Sequence, residues 1–90
     1  MTVRYHRHAD LRLTALEGEG VVLHMGTRTY FTVTETGLSI LETLIEPKTF
    51  DELVAAIMAE YEVESGRAVD SVRGFLDRCL AASLILEQAC

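Results

Sequence analysis

Ninety residues, 49% of them apolar, suffice for one modest core but not for a second domain, and they exclude a disordered chain. Fourteen Asp and Glu against eight Lys and Arg leave a net charge of −6. That balance sets the chain against the phosphates of nucleic acid and against an anionic membrane surface.

Residues 1–10 are irregular and mixed in charge, and read as a flexible arm ahead of one domain over residues 11–90. Residues 11–16 begin with apolar–polar alternation, as in a half-buried strand. Gly18 and Gly20 place a turn at residues 17–20, because glycine takes positive φ at no steric cost. Residues 21–25 form a second strand, and Gly26-Thr27 opens another tight turn. The third strand is Thr29, Tyr30, Phe31, Thr32 and Val33, dense in β-branched and aromatic residues. Connections this short favour an antiparallel meander. Phe31 and Val33 alternate with Tyr30 and Thr32, so only one pair can face inward; the more apolar pair, Phe31 and Val33, is assigned to the core.

The third strand runs straight into helix one, residues 35–45, with Thr34-Glu35-Thr36-Gly37 as its N-cap segment. Leu38, Ile40, Leu41, Leu44 and Ile45 fall largely on one side at helical spacing. Pro47 ends this helix. Thr49-Phe50-Asp51-Glu52 is a capping box opening helix two, whose apolar stripe is Leu53, Val54, Ile57, Met58 and Tyr61. Helix three spans residues 67–82 and carries Val69, Val72, Phe75, Leu76, Cys79 and Leu80 on one broad face. Residues 84–86 pack back as a short extended piece. Strands segregated from helices imply an α+β fold, and a three-stranded antiparallel sheet followed by three helices is the winged helix-turn-helix plan.

Catalytic constellations are missing from the sequence: no nucleophile with a base, no paired carboxylates in a cleft pattern and no metal cage. His6 and His8 lack a third ligand nearby, and His24 alternates with apolar neighbours and is expected to face solvent. Gly18, Gly20 and Gly26 lack the strand–loop–helix setting and the lysine of a phosphate loop. The two cysteines form no disulfide or metal pattern; Cys79 reads as a small buried apolar residue and Cys90 as an exposed thiol. Neither a signal peptide nor a membrane-spanning run is legible, so a cytoplasmic protein without a cofactor is expected. A winged-helix DNA-binding regulator is the alternative reading. Against it, helix three mixes Arg67, Arg73 and Arg78 with Asp70 and Asp77 and has no Asn or Gln to read bases.

A strand welded to a helix this tightly suits docking more than catalysis. An edge strand offers free backbone groups, and a neighbouring helix walls a groove. On helix three, Val69, Leu76 and Leu80 form one flank, continued by Arg73, while Val72, Phe75 and Cys79 form the centre and the other flank.

From Val21 to Leu86 the chain resembles the PqqD-like family, the leader-peptide recognition domains of ribosomally made, modified peptides. The resemblance rests on Val21-Val22-Leu23, on the segment from Tyr30 to Gly37, and on that from Leu38 to Leu44. Thr49-Phe50-Asp51-Glu52-Leu53, the run from Val72 to Leu76, Leu80, and Leu84-Ile85 complete it. Three positions depart from the family pattern: Thr34 replaces a frequent asparagine, Arg28 a frequent glycine, and Ser83 a helix-ending glycine. The resemblance implies a non-catalytic adaptor. A precursor's leader segment would add as a strand to strand three, at Thr29 to Val33, with its side chains in a groove against helix three, at Val69, Val72, Arg73, Leu76 and Leu80. It implies a separate processing enzyme as second partner, a lasso-peptide leader peptidase being favoured over a radical-SAM enzyme of the kind used in quinone-cofactor synthesis.

Overall fold

The computed structural model describes residues 2–89. Within them the elements are β1 (Val3–Arg7), β2 (Leu11–Leu16), β3 (Glu19–His24), β4 (Thr29–Thr34), α1 (Glu35–Thr43), β5 (Lys48–Thr49), α2 (Phe50–Tyr61), α3 (Ser65–Ala81) and β6 (Ile85–Ala89). The fold is α+β, with two antiparallel three-stranded sheets in the orders β2-β3-β4 and β5-β1-β6.

The meander read from the sequence is the first of these sheets, and its third strand is β4. The second sheet corrects the reading of the N-terminus as a flexible arm. β1 lies between β5 and β6, pairing with β6 from Val3↔Ala89 to Arg7↔Ile85, and Tyr5 is buried in the core. The extended piece at the far end of the chain is its partner. β1 itself carries too little alternation to announce itself, because it sends a single side chain into the core.

The helices start where local hydrogen bonding dictates. The Thr34 hydroxyl accepts the Gly37 N–H at 3.1 Å and caps α1. At α2 the Glu52 N–H donates to the Thr49 hydroxyl at 3.1 Å and the Thr49 N–H donates to the Glu52 carboxylate at 2.8 Å, completing the capping box. α1 stops at Thr43, short of the expected Ile45, and Ile45 is 70% exposed instead of joining the apolar stripe. The turn leading to Pro47 takes the chain out of helical register there.

One core joins the layers. Leu41 from α1 and Leu44 at its C-cap, Leu53 and Ile57 from α2, Val72 and Leu76 from α3, and Ile85 from β6 are all essentially buried. The β3–β4 register puts Val22 opposite Phe31 and Gly20 opposite Val33. On β3 the inward residues are therefore Gly20, Val22 and His24. An added Cβ at Gly20 would stand 2.9 Å from the Leu38 methyl groups, so the glycine lets α1 lie against the sheet. The same register corrects the expectation for His24, which is 3% exposed. Its Nδ1 accepts the Thr27 N–H at 3.3 Å, its ring centre lies 4.4 Å from that of His8, and its Nε2 has no partner.

Two departures from the family pattern fall where the backbone turns left-handed: Arg28 has φ 58° and Ser83 has φ 60°. Ser83 closes α3. Its N–H donates to the Leu80 carbonyl at 3.2 Å and the Leu84 N–H to the Cys79 carbonyl at 2.9 Å, the paired bonds of a Schellman ending whose left-handed residue is ordinarily glycine. A left-handed side-chain-bearing residue costs about 1–2 kcal/mol, part of which glycine loses again as backbone entropy. Ser83→Gly is therefore expected to stabilise the fold by about 1 kcal/mol and raise Tm by about 4–8 °C in a domain of this size. Thermal melting checks this, and an unchanged or lower Tm would show that Ser83 is unstrained.

Candidate peptide-binding groove

β4 hydrogen-bonds to β3 on one side and is the outer strand of its sheet on the other. Its remaining N–H and C=O groups face outward, a template on which an extended segment can pair. Phe31 and Val33 point inward, half-buried against the core, while Thr29, Tyr30 and Thr32 are exposed, Tyr30 at 71%.

Beside β4 stands α3. Phe75 and Cys79 face it, and with Leu84, Ala82, Phe31 and Val33 they surround a small apolar cavity of about 150 Å³ with Arg78 and Thr32 at its margin. A larger cavity of about 420 Å³ adjoins it where β4 gives way to α1; its walls run from Thr34, Thr36 and Gly37 across to Asp70, Ser71 and Gly74. Phe75 and Arg78 belong to both. Gly37 is what lets α1 start here: an added Cβ would stand 2.6 Å from Cε1 of Phe75, inside van der Waals contact. Burial pushes the Cys79 thiol up to about 12, overriding the opposing effect of the Arg78 charge. The thiol stays protonated through the neutral range, so Cys79 acts as a packing residue and not as a nucleophile.

The residues expected to bind peptide divide into two groups. Thr29, Tyr30, Phe31, Thr32 and Val33 all lie on the open strand. On α3 the expected flank looks elsewhere. Val72 and Leu76 have no exposed surface. Leu80 is half-buried against the core, and Val69, 39% exposed, lines neither cavity. Arg73 lies over the Phe50 ring of α2, with its guanidinium carbon 4.3 Å from the ring centre. The side chains that do meet β4 are Phe75, Arg78, Cys79 and Ala82, spaced at three, four and seven residues from the first, one stripe of a helix. That spacing is legible in the sequence, but so is the stripe of Val69, Arg73, Leu76 and Leu80, and only the packing of α2 against α3 decides between them.

Among the described residues no group of three or more His, Cys, Asp or Glu is placed to hold a metal ion. Among the same described residues no helix is long and apolar enough to cross a membrane.

Residues 19–85 match the family model described as coenzyme PQQ synthesis protein D (PqqD). Among solved structures, the chain is similar to TbiB1 in complex with the TbiA(beta) leader peptide, at 31% identity over 89% of this chain and 93% of that one, with a TM-score of 0.75. It shares the fold of lasso peptide synthetase B1 complexed with the leader peptide, at 16% identity over 91% of this chain and 96% of that one, with a TM-score of 0.73. No curated protein matches.

Proposed function

The chain belongs to the PqqD family, and from that premise we propose that it is a non-catalytic adaptor for the leader segment of a ribosomally made precursor peptide. The leader adds as a strand to the open edge of β4 and sends alternate side chains into the groove against α3. The observation that carries this reading is the conjunction of an unpaired strand edge with an apolar cavity between Phe31, Val33, Phe75 and Cys79. Such sites draw affinity from main-chain hydrogen bonds and specificity from the pockets that receive every second side chain. TbiB1, similar over most of the chain, was captured with a leader peptide, which supports the same class of guest here.

The protein presents the bound leader to a separate enzyme and does no chemistry on it. A lasso-pathway leader peptidase is favoured as that enzyme, and a radical-SAM enzyme is the second choice. The three helices with the β2–β4 meander are read as a winged helix-turn-helix whose strand edge takes peptide in place of DNA. We assign the α3 wall of the groove to Phe75, Arg78, Cys79 and Ala82.

Titration of the isotope-labelled protein with the leader segment of its precursor peptide tests this. Amide signals from Thr29 to Val33 and from Phe75 to Ala82 should shift. Shifts confined to α2 and β1 would sink the assignment. Arg73 gives a second check, since its guanidinium is engaged over Phe50. Arg73→Glu should leave leader affinity within about twofold at low salt and cost about 0.5–1 kcal/mol of stability through the lost cation–ring contact. A several-fold loss of affinity that fades with salt would return the groove to the Val69–Leu80 flank.

A further inference from the structure

The two cavities beside β4 meet at one cation. Arg78 is exposed, and its guanidinium carbon lies 6.0 Å from the Phe75 ring centre. The side chain lies back over Gly74, where an added Cβ would stand 3.5 Å from Nη1, so the guanidinium sits at the junction of the apolar cavity and the larger one. Among the described residues no carboxylate pairs with it; the ion pair present there is Lys48 with Glu46. Among the described residues no arginine has a carboxylate partner, so what sets Arg78 apart is its place between the two cavities beside the open strand.

A strand added to β4 puts side chains two positions apart on one face, separated by about 6.5–7 Å. If one enters the apolar cavity beside Phe31 and Val33, the next towards Thr34 arrives beside Arg78. Asp70 also lines the larger cavity, and Gly74, over which Arg78 reaches back, lies four positions after it, about 6 Å along the helix axis. Among the described residues no ion pair joins Asp70 to Arg78, so the guanidinium is free for a carboxylate that arrives from the side of the apolar cavity, away from Asp70.

Resting on the leader-binding reading, we infer that this groove selects extended peptides carrying an aliphatic residue with Asp or Glu two positions away towards the Thr34 end, and that Arg78 is the specificity-determining residue. The aliphatic side chain fills the cavity walled by Phe31, Val33, Phe75 and Cys79. The carboxylate pairs with the Arg78 guanidinium.

The test uses a displayed library of random peptides of about twelve residues, longer than a typical strand. It is selected in parallel against the wild-type protein, Arg78→Gln and Arg78→Lys, each first shown to melt as wild type does. Selected peptides are then titrated into labelled protein. The wild type should enrich the aliphatic–carboxylate pair, and Arg78→Lys should retain it where Arg78→Gln does not. Replacing the peptide's Asp by Asn should weaken binding to the wild type about 3–5-fold at low salt, less at high salt, and binding to Arg78→Gln by less than about 2-fold. Peptides that shift the β4 amides without a carboxylate preference, or with one that Arg78→Gln leaves in place, overturn the inference and leave strand addition standing. A preference for Lys or Arg instead assigns the charge reading to Asp70 and also overturns it. Selected peptides that leave the β4 amides unmoved, or a selection that yields none, overturn both readings.

Discussion

Leu76→Ala should lower stability by about 2–5 kcal/mol, the range for emptying a fully buried leucine site. Leu76 has no exposed surface and belongs to the same core as Leu41, Leu44 and Leu53. The helices and the sheet around it are braced against one another, so they relax only partly into the space. Against a total stability of about 5–15 kcal/mol for a domain of this kind, the loss is severe, and Tm should fall by at least about 10 °C. Leader affinity, measured below the transition, should stay within about twofold, because the side chain lies beneath the groove and not in it. A variant that melts as wild type does but no longer binds would place Leu76 in the groove after all and contradict its burial.

A pair of prolines in β4 should separate folding from binding. In an antiparallel pair, adjacent residues of an edge strand direct their N–H groups alternately to the partner strand and to the open side. Thr32 faces Val21 and Val33 faces Gly20 on β3, so one of the two donates into the sheet and the other outward. Proline lacks the donor and is tolerated on the open side of an edge. Of Thr32→Pro and Val33→Pro, one should unfold or strongly destabilise the protein. The other should melt within a few degrees of wild type and lose leader binding by at least about tenfold, from a missing backbone bond together with the ring's obstruction of the approaching strand. Circular dichroism and calorimetric titration check the pair. Wild-type affinity in the variant that keeps its fold would rule out strand addition at β4.

Much of the architecture was open to reading because its signals are local. The capping box at Thr49 and Glu52 marks the start of α2 within a residue, and the turns around Gly18 and Gly26 define the β2–β4 meander. The inward assignment of Phe31 and Val33 follows from strand alternation alone. What escaped depends on distant partners. β1 is a strand because β6 lies beside it, and nothing within residues 3–7 encodes that neighbour. His24 looks like a solvent residue by type, yet the register with β4 turns it inward with Val22. On α3, Arg73 and Arg78 are equivalent by composition, and both edge the same apolar arc. Phe50 of α2 takes the first, and the second is left beside β4.

The pairing of β1 with β6 sets Val3 opposite Ala89, 86 positions apart, and makes the polypeptide almost a ring. Bringing such remote segments together carries a large loop-closure entropy, so this sheet is expected to assemble late, after the local hairpins and helices have shortened the effective loop. Two of its strands, β1 and β6, are also mutually dependent. Clipping β6 would strip β1 of its longest partner and release Tyr5 from the core, so damage at one extremity of the chain would be felt at once at the other.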